Sequence, residues 1–283
     1  MTPTLTPSPH LHRHAYIRGH ARVLLGPLPL GIVRPKKGKY NMVISEATLR
    51  MMKQAEDPPR LSVLSTKHLI KLAAEFLSRP DTIEKLDGCS VGPWEEKRRH
   101  IINEGDVVNA SATQLLNPID TVLGLLPSAF TIRDQLGSSS KRAFADRTWV
   151  IQDRIGQENK MRFQPDGTHA YAALDFKAPH SFDSNSFDIF YQTASASSAL
   201  PTSGPPATSR PAVSTANTTR MLALALHYAT QYRTRFIALF DWMTLVLFVF
   251  DDYNEPRTMQ VSTIEERDEF RPALLGFLMV ATE

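Results

Sequence analysis

The chain holds a single cysteine, Cys89, among 283 residues. One thiol excludes an internal disulfide and any metal centre built from several thiolates, and it suits a reducing compartment. Long apolar runs are missing too. The most apolar window, residues 236–250, is interrupted at Asp241, so no stretch has the length of a membrane span. The N-terminus lacks the continuous apolar core of a secretory signal. Its Arg-rich start leaves a mitochondrial address open, although Pro3, Pro7 and Pro9 oppose the amphipathic helix such an address needs. The expectation is an intracellular protein, nuclear or cytoplasmic, with no membrane partner. No glycine-rich phosphate loop or His-Arg-Asp loop occurs. A kinase reading of Leu174-Asp175-Phe176 therefore fails, and Lys177 stands where that motif requires glycine.

Acidic residues are absent from residues 1–45, which carry seven Arg or Lys. Of the net charge of +3, this leaves the rest of the chain at −4. Such an arm is either a flexible solvated segment or a contact for a polyanion. His10, His12, His14 and His20 lie in it without carboxylate or thiol neighbours, which makes them a poor metal site. The remainder, residues 46–283, has the length for one α/β domain, and 42% apolar content is that of a chain that folds. From residue 193 onward composition shifts to Ala, Ser, Thr, Pro and Gly, which predicts a low-complexity insertion over about 183–219.

Periodicity assigns the elements around that insertion. Ser45 can cap a helix running to about residue 54, and residues 66–77 place Leu69, Leu72, Ala73, Phe76 and Leu77 on one helical face. Residues 87–93 read as a loop with Trp94 anchored beside it. Residues 103–116 predict a helix that stops before Pro118. Its inward stripe runs from Glu104 through Val107, Val108, Ser111 and Leu115. Residues 128–136 are helical or extended. Residues 142–152, rich in β-branched and aromatic side chains, predict a strand with Asp146 in its middle. A Pro165-Asp166-Gly167 turn leads into a second strand, 167–177, paired with the first. A helix over 219–232 follows, then strands 235–240 and 244–250 around a turn at Asp241, and an apolar piece over 273–280.

The most informative stretch is HAYAALDFKAP, residues 169–179. On a strand Asp175 and Lys177 project to one side while Leu174 and Phe176 project to the other. Two further acid-x-Lys triplets, ending at Lys97 and Lys160, lie in polar surroundings; only this one closes an apolar strand. Carboxylates on neighbouring strands can hold Mg2+, and a lysine beside them can steady charge developing on a phosphoryl group. The same residues also admit plain roles: a strand-end salt bridge for Asp175 and Lys177, a turn or edge position for Asp146, and a helix-dipole contact for Glu104.

Taken in order, Glu104 in EGDVVNASATQLLNPI, Asp146 in RAFADRTWV, ALDFKAPH, and the helix and strands of ALHYATQYRTRFIALFDWMTLVLFVF resemble the PD-(D/E)xK, or restriction-endonuclease-like, nuclease superfamily. More closely, they resemble a fungal nuclease-like branch of it. The likeness spans about residues 94–252. It implies a central mixed β-sheet flanked by helices, a phosphodiesterase acting on DNA or RNA, and Mg2+ or Mn2+ as cofactor. It further implies Asp146 and Asp175 as metal ligands, Glu104 assisting from its helix, and Lys177 positioning the attacking water. Ala145 replaces the proline that precedes the first aspartate in the pattern. Asp166 follows a proline but already serves its turn, so Asp146 is preferred. The alternative within the same resemblance is an inactive nuclease fold acting as a nucleic-acid-binding or effector module.

Overall fold

The computed structural model describes residues 27–28, 31–33, 60–88, 99–126, 130–134, 145–151, 170–182 and 216–282. The elements among them are β1 (Ile32–Val33), β2 (Arg60–Val63), α1 (Thr66–Leu77), α2 (Pro80–Gly88), β3 (His100–Ile101) and α3 (Glu104–Ser111). A π-helical turn (Ala112–Leu116), α4 (Asn117–Leu123), β4 (Phe130–Asp134), β5 (Arg147–Ile151) and β6 (Ala170–Phe176) come next. The chain closes with α5 (Ala216–Tyr232), β7 (Phe236–Phe240), β8 (Leu245–Phe250), β9 (Thr258–Ile264) and α6 (Phe270–Ala281). None of these helices is long and apolar enough to cross a membrane.

Seven strands form one mixed sheet in the order β2-β9-β8-β7-β6-β5-β4. β6 and β7 are parallel and joined through α5, and β2 and β9 are parallel; the remaining neighbours are antiparallel. The central strands read AYAALDF, FIALF and LVLFVF, nearly continuous apolar runs, as expected when both faces of a sheet are covered. One face packs Leu174, Phe176, Ala238, Phe240, Leu245 and Leu247 against α1, α3, α4 and α6. The other packs Ala173, Ile237, Leu239, Val246 and Phe248 against Met221, Leu224, Ala225 and Tyr228 of α5. The protein is thus a mixed α/β fold in three layers.

Local rules account for helices packed on the first of these faces. Ser65 caps α1 by accepting the His68 N–H, and Leu69, Ala73, Phe76 and Leu77 are buried on the expected face. α6 packs on α1 so closely that a Cβ on Gly276 would meet Leu69 O at 2.0 Å.

Several expectations need correction. The helix through Glu104 does not stop before Pro118 but passes through the π turn into α4. Proline lacks the N–H that would serve the carbonyl four residues back, that of Gln114. Arg271, fully buried on α6, supplies the donor instead, Nε–H to Gln114 O at 2.7 Å. Asp146 is not in the middle of a strand: β5 begins at Arg147, and Asp146 occupies the bend before it. An aspartate side chain competes for backbone N–H groups, and this one takes the Phe176 N–H. Residues 87–88 end α2 rather than open a loop, and residues 216–219, expected within the insertion, are the first turn of α5.

Part of the supposed arm belongs to the folded body. Leu28 is buried and donates its N–H to Arg267 O, β1 pairs in parallel with β3, and Gly31 lies against the Trp242 indole. The rest of that arm, the helix over 45–54, Cys89, Trp94, Asp166 and residues 183–215 lie outside the described residues.

Candidate active site

Four side chains far apart in sequence meet at the end of β6. The register pairs Arg147 of β5 with Leu174 of β6. One step further along, Asp146 leaves the ladder for the bend, near enough to Asp175 for the two charges to interact. Asp146 Oδ2 accepts the Phe176 N–H at 2.8 Å, which fixes its carboxylate against the strand that bears Asp175. β6 continues its pairing with β7, where Lys177 N–H donates to Phe240 O at 2.9 Å. Asp175 therefore points toward α5, as alternation along the strand requires, while Leu174 and Phe176 enter the opposite core.

Lys177 folds back over the strand end. Its Nζ lies 2.5 Å from Asp175 Oδ2 and 3.8 Å from Glu104 Oε1, and it donates to Phe176 O at 2.9 Å. Glu104 reaches it from the first turn of α3. That turn is held by a reciprocal cap: Asn103 Oδ1 accepts the Asp106 N–H, and Asp106 Oδ2 accepts the Asn103 N–H. The stripe expected below Glu104 is buried at Val107, Ser111 and Leu115, while the Glu104 side chain itself is 52% exposed. Asp175 is 3% exposed and Lys177 15% as side chains, so the pair sits in a dry environment with one wet edge.

Electrostatics follow from that placement. Burial drives the Asp175 carboxyl up to about 7; Lys177 pulls against this, and the charges of Asp146 and Glu104 add to it. Glu104 is likewise raised, by burial first and by Asp146, against the pull of Lys177. Burial by itself would depress the Lys177 amine, but Asp175, Glu104 and Asp146 outweigh it and hold the ammonium above its ordinary value. Lys177 is consequently a fixed cation and a hydrogen-bond donor, unsuited to act as a base at neutral pH.

Sequence reasoning missed two site residues, Tyr228 and Tyr232 on α5. The Tyr228 hydroxyl hydrogen-bonds Asp175, and the Tyr232 hydroxyl accepts the Ala145 N–H at 2.9 Å. The available signal was their spacing of four on one helix, which stacks both phenols on one face. A second buried set, Asp120 with Arg147 and Trp149 Nε1, anchors β5 from α4 at the next residue along from Asp146.

The residues suit Mg2+ or Mn2+ in kind. Asp175 Oδ2 is buried, with the Lys177 ammonium 2.5 Å away as its charge partner. Magnesium takes oxygen donors, keeps several waters and needs only one or two carboxylates, which Asp146 and Asp175 provide. Among the described residues no three His, Cys, Asp or Glu side chains converge on one point to ligate an ion. Comparison of the chain with protein-family models, with curated proteins and with solved structures finds no match.

Proposed function

We propose that the protein is a metal-dependent phosphodiesterase acting on nucleic acid, built on a restriction-endonuclease-like core. The observation that carries this reading is the convergence of Glu104, Asp146, Asp175 and Lys177 on one end of β6. They arrive from a helix start, a strand entry and a strand end, and simple surface ion pairing gives no reason for such a gathering in a dry setting. A buried carboxylate, Asp175, with a half-buried one, Asp146, close by is costly unless a cation uses them.

In this reading Asp146 and Asp175 hold the ion and Glu104 supports it from α3. A bound Mg2+ supplies Lewis-acid polarisation of the phosphodiester and a water of lowered pKa. The chain's own part is positioning and charge. Asp175, drawn out of water, interacts more strongly with a neighbouring cation than an exposed carboxylate would. Lys177 presents an ammonium whose hydrogen bonds can orient a water and stabilise negative charge as it builds on the phosphoryl oxygens. The acid-free residues 1–45 supply sequence-independent attraction for phosphates, which weakens as salt rises.

The test uses the purified full-length protein with Mg2+ or Mn2+, supercoiled plasmid and single-stranded DNA and RNA. Cleavage is expected, with Asp175→Ala losing both metal binding and cleavage and Lys177→Ala losing cleavage alone. Equal cleavage by wild type and both variants would discard the site assignment. A wild type that neither binds the metals nor nicks any substrate would discard the enzyme. A second reading then stands, a nuclease-fold binding or effector module. It is favoured by the close Lys177–Asp175 pair, which already neutralises the buried carboxylate without a metal.

A further inference from the structure

Helix α5 carries two tyrosines whose hydroxyls touch both carboxylate-bearing segments of the candidate site. Tyr228 hydrogen-bonds the Asp175 carboxylate itself, and Tyr232, one turn later, accepts the backbone N–H of Ala145, the residue before Asp146. The two rings pack together with centroids 6.0 Å apart, so their hydroxyls are fixed relative to each other. Tyr228 is buried among Ala225, Ala229 and the sheet residues Ala173 and Leu239, which leaves its ring no other rotamer without repacking. A phenol buried at this depth needs a partner for its O–H, and Asp175 is that partner.

We propose that Tyr228 and Tyr232 are positioning residues that together set the spacing of Asp175 and Asp146 for a divalent cation. This inference rests on the reading of those carboxylates as metal ligands. The physical argument is one of preorganisation. Asp146 lies in a bend, outside the regular ladder, and the described contacts that hold the bend are the Phe176 N–H on its carboxylate and the Tyr232 hydroxyl on Ala145. Asp175 stands on a rigid strand, yet its carboxylate can still rotate about its side-chain torsions. Tyr228 removes that freedom and leaves Oδ2 directed at Lys177. Because both hydroxyls hang from one helix, a displacement of α5 would move the two ligands together, and loss of either hydroxyl would let them drift apart. Supporting groups of this kind typically carry ten- to hundredfold of metal affinity.

The experiment is calorimetric titration of Mn2+ alone into the full-length wild type, Tyr228→Phe, Tyr232→Phe and, as control, Tyr253→Phe. It is paired with the 13Cγ resonances of selectively labelled aspartates in the metal-free proteins. Expected is a weakening of Mn2+ binding by roughly tenfold in Tyr228→Phe, a smaller loss in Tyr232→Phe and none in the control. The Asp175 resonance should move in Tyr228→Phe and the Asp146 resonance in Tyr232→Phe. Wild-type affinity in both tyrosine variants would overturn the proposal. If the wild type itself takes up no Mn2+, the metal reading falls, and the tyrosine assignment is decided by the resonances: unmoved Asp175 and Asp146 signals would overturn it. Should Tyr228→Phe fail to fold, Tyr232→Phe, which alters only a bond to the backbone, decides the matter by the same two readouts.

Discussion

Replacing Asp175 with asparagine should flatten the pH dependence of stability, and the size of the effect can be worked from the site. Asp175 keeps its proton to about 7 in the folded protein against an ordinary value of 3.8. Between those values the folded state binds more protons than the unfolded state, so stability falls as pH rises through the window and levels off above it. The whole linkage is about 4 kcal/mol at about 1.36 kcal/mol per pH unit, and more than half of it falls between pH 5 and 8. Asparagine has no proton to exchange, and Lys177 keeps Glu104 as a partner 3.8 Å away. Asp241 is also raised to about 7, by burial working against hydrogen bonds from Phe182, Met243, Thr244 and Ser181. Its titration is common to both proteins and cancels in the comparison. Urea unfolding at pH 5 and 8 is the assay, and the wild type should lose about 2–3 kcal/mol more than Asp175→Asn over that interval. Parallel losses, agreeing within the error of extrapolation, would refute the claim that Asp175 is held desolvated.

Two further variants test the frame around the site. Gly276→Ala would drive a Cβ to 2.0 Å from Leu69 O, forcing α1 and α6 apart; we expect a loss of about 3 kcal/mol or more by urea unfolding and a lowered thermal midpoint. Arg271→Leu should cost roughly 1–3 kcal/mol by leaving the Gln114 carbonyl without its donor, with faster amide exchange concentrated in the π turn.

The sequence disclosed the elements whose signal is local and strong. An apolar run made β6 legible, as runs of the same kind did for β7 and β8 on either side of Asp241. α1 was readable from four buried positions at helical spacing. What stayed hidden depended on partners distant in sequence. β9 reads TMQVSTI, too polar to announce itself, and becomes a strand because β8 and β2 flank it on both sides. Pro118 looked like a stop because nothing near it reveals that Arg271 will satisfy the carbonyl it leaves. The sequence places Asp146 inside a strand, whereas it lies in a bend defined by the Phe176 N–H and by Tyr232. The tyrosines themselves resemble ordinary core residues until the fold brings carboxylates beneath them.

The turn at Asp241 bears on how this gene can change. Asp241 is buried between β7 and β8; its Oδ1 accepts the N–H groups of Met243 and Thr244, and its Oδ2 accepts that of Phe182 at 3.0 Å. Phe182 is the last described residue before the connection to α5, and its own ring is buried beside that helix. The exit from the site strand is therefore fastened by one carboxylate, and the re-entry is fastened by a helix whose tyrosines grip the same site. Chain spliced in or out between these two moorings adds only a slowly growing closure entropy. The two moorings are made by Asp241 and by α5, so both are drawn from residues on either side of that stretch.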